Sequence, residues 1–313
     1  MAEKTLQQNA VRKQNERKHL KDRLRRYAFI YVLLIPVLAY FLVFSYYPMG
    51  LGIFNSFREI KLLGGAQFVG FQNYESIFAS PVYSQAFVNT LVVGAGSFIL
   101  QFLWGLFLAL CLNELRHKVT RSFYQTVSYI PNLLSWSVVG SIWITLLSPT
   151  GLVNGLLKLI QGDGYQTIVF MSERSLARSI MIFTGAWKGA GYYAALFLAA
   201  IVAIDPTLYE AASIDGASRF QQVTRITVPA VVPTIKIVTL LGVMGMLRNF
   251  DQVFVMANSS IMDKVRNLLY LIYNDGIVQF KIGPASAAAC IVLLATMVIS
   301  FTVRKLIRYD QFD

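Results

Sequence analysis

The 313 residues are 56% hydrophobic and only 14% charged. Soluble domains carry about 25% charged residues, so a wholly water-solvated globule is excluded. The formal net charge of +12 raises nucleic acid as a partner, but the basic residues sit in short segments between apolar runs and build no recognition fold.

In chain order, residues 1–27 come first as a basic leader containing "VRKQNERKHLKDRLRRY". It reads as a helix on an anionic inner membrane surface, held by about 1 kcal/mol per basic residue. The leader is long for a signal-peptide n-region, and no small-x-small cleavage pattern follows "FSYYPMG". The run from Tyr27 to Phe57 is therefore expected to be an uncleaved first membrane helix. Val82–Asn113, Ser122–Leu157 and Ile282–Val303 are also free of charge, and each exceeds the roughly 20 apolar residues that span a bilayer. Ser179–Ile204 and Ile226–Ala257 tolerate a few charges and bring the expectation to six spans. The expected fold is an all-α membrane protein, because a barrel would show alternating segments of about 10 residues instead. Cys111 and Cys290 fall in different spans and make neither a disulfide framework nor a metal site.

With the amino terminus cytoplasmic, the inner segments 1–27, 113–123, 205–228 and 303–313 hold 17 Lys and Arg. The outer segments 47–84, 148–178 and 258–283 hold 8. This is the positive-inside bias, and an even number of spans returns the tail 308–313 to the cytoplasm.

Between the fourth and fifth runs lies "DPTLYEAASIDGASRFQQVTRITVPAVVPT", residues 205–234. Asp205 suits a helix N-cap and Pro206 the first helical position. Gly216 suits the left-handed residue past a helix end, and Ser218 with Gln221 reads as a capping box. Two short helices are expected, the second reaching about Thr227, with Pro229 opening the fifth span. Helices this short are marginal alone, so they lean on the lipid surface or enter a partner's cleft. Glu210 and Asp215 stand on a side where basic residues are expected, which favours docking.

A polar path at membrane depth needs costly inward-facing groups. The fourth run offers "AWKGAGYY" with Trp187, Lys188, Gly189, Tyr192 and Tyr193. The fifth offers "GVMGMLRNFD" with Gly242, Gly245, Met246, Arg248, Asn249 and Asp251. Aromatic faces stack on sugar rings, and amide or charged groups bind hydroxyls and carboxylates. Competing roles stay open. Gly185, Gly189, Gly242 and Gly245 permit close helix packing, Tyr193 suits an interfacial anchor, Arg248 and Asp251 can neutralise each other across a turn, and Lys188 can snorkel from the outer half. No phosphate-cradling G-x-x-x-x-G-K-[ST] loop exists, and His19 and His117 lie in basic segments. No cofactor, metal or catalytic residue is therefore expected on this chain.

Glu210-Ala211-Ala212, then Gly216, then Ile226-Thr227-Val228-Pro229 resembles the EAA loop of binding-protein-dependent ABC transporter permeases. Val228 stands where the family pattern has leucine. The resemblance implies the type I importer permease fold over residues 28–307. It makes 205–228 the coupling segment, with Glu210, Ala211, Ala212, Asp215 and Gly216 docked on a cytoplasmic ATPase. It also implies two ATPase subunits that carry ATP and Mg, a second nonidentical permease, an extracellular or periplasmic sugar-binding protein, and a bacterial or archaeal plasma membrane. "FVGFQNY" (68–74), Asn89-Thr90, Pro131, Trp143, Gly151-x-x-Asn154 and "FDQVFVM" (250–256) resemble the maltose-type carbohydrate group. After these, "ANSSIMD" replaces the usual threonine and Gly-Gly-Pro turn, a variant associated with larger or acidic oligosaccharides. The chain is then no enzyme, since hydrolysis belongs to the partner. The rivals are a secondary transporter or channel working without an ATPase, and a membrane scaffold. The first would show repeated halves, and no convincing repeat is present.

Overall fold

Lipid offers no partner to backbone N–H and C=O groups, so apolar runs of this length become helices, and prolines and caps decide where they break. The computed structural model describes residues 26–61, 64–115 and 117–307. The leader up to residue 25 and the tail 308–313 lie outside the described residues. The chain divides into two units at Phe54 and Asn55.

From Ala28 on, the described residues of the first unit belong to helix α1 (Ala28–Asn55), which contains an 18-residue stretch with a mean hydropathy of 2.4. Its turn Leu42–Tyr46 is π-helical. Pro48 lacks the N–H that would close on Phe44, and the wider turn absorbs that mismatch.

The second unit opens with a hairpin the sequence did not announce. Strands β1 (Arg58–Lys61) and β2 (Gly65–Phe68) pair antiparallel, with Arg58 opposite Phe68. The motif "FVGFQNY" ends this hairpin and starts α2 (Gln72–Ala79). Asn73 Nδ2 donates to the Ser56 and Arg58 carbonyls at 2.8 and 3.0 Å, and Tyr74 OH pairs with Ser56 Oγ at 2.7 Å. Then follow α3 (Pro81–Asn113), α4 (Lys118–Leu133), α5 (Trp136–Leu146), α6 (Leu152–Gln161) and α7 (Ala177–Val202). The remaining elements are α8 (Pro206–Ile214), α9 (Arg219–Ala230), α10 (Val232–Met246), α11 (Asp251–Met256), α12 (Met262–Val265), α13 (Leu268–Val278) and α14 (Ile282–Leu306).

Among the described residues three helices, α1, α3 and α14, are long and apolar enough to cross a membrane. The number rises to six if each bent pair, α4 with α5, α7 with α8 and α9 with α10, is one span.

Two expected spans are corrected. Ser122–Leu157 is not one helix: α4 and α5 meet at a bend of 100°, α5 stops at Leu146, and α6 is separate. Pro131 takes an N–H out of α4, and Ser135 caps α5 by accepting from Val138 N. The fifth span does not begin near Thr227 either. Helix continues to Ala230 through a π turn at Val223–Thr227, and the 61° bend falls at Val231. Pro229 lacks the N–H that would face Arg225, which the π turn absorbs, and Pro233 starts a fresh helix at its second position.

The core lies between α3 and α7, where small residues bring the backbones together. A methyl group at Gly105 would sit 2.5 Å from Tyr193 Cβ, and one at Gly191 would sit 1.9 Å from the Ser128 carbonyl oxygen of α4. Phe197, Leu198, Ile201 and Val238 are buried around this crossing.

Candidate functional site

The hairpin 205–230 is built by local chemistry. Asp205 Oδ1 accepts from Thr207 N at 2.9 Å. That backbone bond holds its carboxyl below the usual carboxylate range. At the other end of α8, Gly216 N donates to the Ser213 carbonyl and Ala217 N to that of Ala212. This is a complete Schellman closure, with Gly216 at φ +78°. Ser218 and Gln221 form the reciprocal capping box: Ser218 N donates to Gln221 Oε1 at 2.7 Å and Gln221 N to Ser218 Oγ at 3.3 Å. Two side-chain pairs brace α8 against α9, Gln222 Nε2 donating to Ser213 Oγ at 2.9 Å and Tyr209 OH facing Thr227 Oγ1 at 2.9 Å.

The exposed surface of this hairpin mixes apolar and acidic groups. Ile214 is 86% exposed, Phe220 76% and Leu208 51%. Glu210, Ala211, Asp215 and Gly216 are exposed and Ala212 is half-buried. Among the described residues no ion pair or side-chain hydrogen bond engages Glu210 or Asp215.

A cavity of about 220 Å³ lies between α3, α7 and α10. It is lined by Ser97 and Gln101, Tyr193, Gly242, Gly245 and Met246, together with Trp136, Asn249 and Gln252. Ser97 Oγ is buried with no hydrogen-bond partner among the described residues. Gly245 has nothing within 4 Å of where a Cβ would be, whereas Gly242 lies against the Phe98 ring. One glycine of that pair opens space and the other packs. A larger cavity of about 610 Å³ is bordered by Trp136, Ser135, Lys188, Asp251, Phe250 and Phe254. Trp136 borders both.

The sequence missed Ser97, Gln101, Trp136 and Gln252. The first two lie on the second span, which carried no polar cluster dense enough to stand out. Gln252 is fully buried, donates to the Met181 carbonyl at 2.7 Å and to Thr184 Oγ1 at 2.8 Å, and accepts from Asn249 Nδ2 at 2.6 Å. Asn267 Nδ2 in turn donates to the Asn249 carbonyl. Leu268 N donates to Thr90 Oγ1 at 3.0 Å, Asn89 Nδ2 to the Asp263 and Arg266 carbonyls at 3.0 Å each, and Arg178 Nη2 to Asn89 Oδ1 at 2.7 Å. A polar belt thus ties α3, α7 and the start of α11 to the segment 257–268, which holds α12. Its members satisfy one another, as polar groups away from water must.

The sequence-predicted residues separate into groups. Gly242, Gly245, Met246 and Asn249 meet in the smaller cavity. Lys188 and Asp251 border the larger one. Gly189 faces Gln101, whose Oε1 would lie 2.0 Å from an added methyl group. Trp187 instead stacks edge-on against Trp143 at 5.5 Å, and Tyr192 against Tyr193 at 5.7 Å; neither lines a cavity described here.

Two local readings are corrected. Arg248 and Asp251 are not partners across a helical turn, because α10 ends at Met246 and α11 begins at Asp251; no ion pair joins them among the described residues. Lys188 does not snorkel: its ammonium turns inward and donates to the carbonyls of Pro131, Asn132 and Leu134 at 3.0, 3.0 and 2.6 Å. Among the described residues no three His, Cys, Asp or Glu side chains gather into a metal site.

Comparisons place this arrangement among known proteins. The polygalacturonan/rhamnogalacturonan transport system permease protein YteP of Bacillus subtilis (strain 168) is 33% identical over 280 residues, 88% of this chain and 86% of that one. A crystal structure of a bacterial ABC transporter involved in the import of the acidic polysaccharide alginate superposes with a TM-score of 0.85 at 31% identity, covering 93% of this chain and 98% of its counterpart. That transporter in complex with an alginate pentasaccharide-bound periplasmic protein matches with a TM-score of 0.85 at 30% identity, over the same shares. Residues 101–308 match the family described as binding-protein-dependent transport system inner membrane component. The chain belongs to that family, the membrane-spanning permeases of ABC importers, whose ATPase resides in a separate subunit.

Proposed function

We propose that the chain is the permease subunit of an importer for acidic oligosaccharides, and that residues 205–228 couple it to a cytoplasmic ATPase. The observation that carries the cargo reading is the chemistry between α3, α7 and α10. Trp136 and Tyr193 offer aromatic faces, and Ser97, Gln101 and Asn249 offer hydroxyl and amide groups to sugar hydroxyls. Arg248, the chain neighbour of Asn249, is exposed outside the lining of both cavities, with no hydrogen bond or ion pair on its guanidinium among the described residues. A free guanidinium suits a uronate carboxylate, which it can hold through two parallel bonds. YteP and the alginate importer carry acidic glycans in their names, in keeping with this choice.

The coupling reading rests on the hairpin. Its caps make it a stiff lever, and Leu208, Ile214 and Phe220 with Glu210 and Asp215 give it a surface suited to an apolar groove rimmed by basic groups. Two such ATPase subunits would hold ATP and Mg. Their closure would drag the hairpin and rock the spans, while a sugar-loaded binding protein delivers cargo on the opposite face. A second, nonidentical permease would complete the path, with both termini of this chain cytoplasmic in a bacterial or archaeal inner membrane.

The test is reconstitution with the cognate ATPase, second permease and binding protein. ATP hydrolysis should rise with binding protein loaded with oligogalacturonate or oligoalginate and not with neutral malto-oligosaccharide. Equal stimulation by neutral sugar would remove the acidic assignment. Transport of sugar by the chain alone would remove the ATPase coupling.

A further inference from the structure

Lys188 has been placed on a cavity wall, yet its ammonium has no donor to spare. A protonated lysine carries three N–H bonds and no acceptor. Lys188 faces three carbonyls, those of Pro131, Asn132 and Leu134, all within 3.0 Å. These are carbonyls at the end of α4, where the bend of 100° removes the N–H groups of a continuing helix. At membrane depth unpartnered carbonyls are costly, and a cation at a helix C-terminus also complements the dipole. The next residues are Ser135, which caps α5, and Trp136, which borders both cavities. Lys188 Nζ lies 5.7 Å from the centre of the Trp136 ring, within the range of a cation–π attraction.

We propose that Lys188 is a positioning residue. By closing the carbonyl end of α4 it holds the break between α4 and α5, and so stations Trp136 between the two cavities, without contacting cargo itself. The consequence for uptake rests on the importer reading; the geometric claim does not.

The test measures the bend directly. Labels at Thr126→Cys in α4 and Ser141→Cys in α5, both exposed, are placed in the full chain carrying Cys111→Ser and Cys290→Ser. Their separation is read by pulsed spin-label spectroscopy in lipid nanodiscs. A straight helix would separate them by roughly 22 Å along its axis, and the bend holds them closer. Lys188→Met should lengthen and broaden the distance by several ångströms. Lys188→Arg keeps a cation with several donors and should stay near the wild-type distance. Uptake by the complete transporter should fall about tenfold in Lys188→Met, the scale of one lost charge-assisted bond, and recover in Lys188→Arg.

An unchanged distance in Lys188→Met overturns the proposal, and coupled with lost uptake it makes Lys188 a direct cargo contact instead. Should Lys188→Met fail to accumulate, Lys188→Arg decides: accumulation with the wild-type distance supports the proposal, and loss of that variant too overturns it. Failure of the wild-type assembly to hydrolyse ATP in response to loaded binding protein would strike the importer reading alone, because the label distance does not depend on it.

Discussion

A methyl group added at Gly191 would lie 1.9 Å from the Ser128 carbonyl oxygen, whereas one added at Gly245 would meet nothing within 4 Å. The two glycines therefore respond differently to bulk. Gly191→Ala should cost about 1–3 kcal/mol by overpacking the α4–α7 crossing, read as a lower melting temperature in detergent. Gly245→Leu should leave the melting temperature near wild type and cut uptake, because the side chain fills the cavity. Gly216 needs its left-handed backbone, so Gly216→Val should cost about 1–2 kcal/mol locally and uncouple ATP hydrolysis from transport. Thr207 N holds the Asp205 carboxylate ionised below its unperturbed value of about 3.9. Its contribution to the start of α8 is thus intact above that pH and is lost only as pH falls through the lowered value. Gly216 was legible in the sequence because caps are local. Gly242 and Gly245 were not separable, because a residue on another helix, Phe98, decides which of them packs.

At the scale of elements, the polar belt fixes how α11 sits on α7. Gln252→Leu is close in size but leaves the Thr184 hydroxyl and Asn249 amide without their partner. Its cost should be about 1–3 kcal/mol, visible as a lowered melting temperature and as faster proteolysis of the segment 257–267. The sequence located the apolar runs and both helices of the hairpin. It overlooked the bend after Leu133: Pro131 and Ser135 lie inside an uncharged run that reads as one span, and Lys188, which closes the helix end, is distant in sequence. The fifth span was displaced for a related reason: Pro229 reads as a boundary, yet a π turn carries the helix past it to Ala230. The strand pair 58–61 and 65–68 was missed since each strand is only four residues long, too short for alternation to show.

For the whole molecule, the proposed coupling depends on which way the hairpin 205–230 faces and what it touches. In the proposed orientation, which the charge asymmetry favours, the hairpin lies on the inner side with Leu208, Ile214 and Phe220 exposed for a partner to cover. Glu210→Lys should cancel the acidic charge of the proposed docking surface, set a lysine against the basic rim of the groove, and weaken co-purification of the ATPase about tenfold or more, since like charges brought together across an interface cost several kcal/mol. The most direct measurement is photo-crosslinking from a probe at Ile214, the most exposed apolar residue of α8, in sealed membrane vesicles of known orientation. One adduct is expected, with the ATP-hydrolysing subunit, and no labelling of the site by an impermeant reagent on the outer face. An adduct with lipid alone, or labelling from outside, would contradict the proposed coupling.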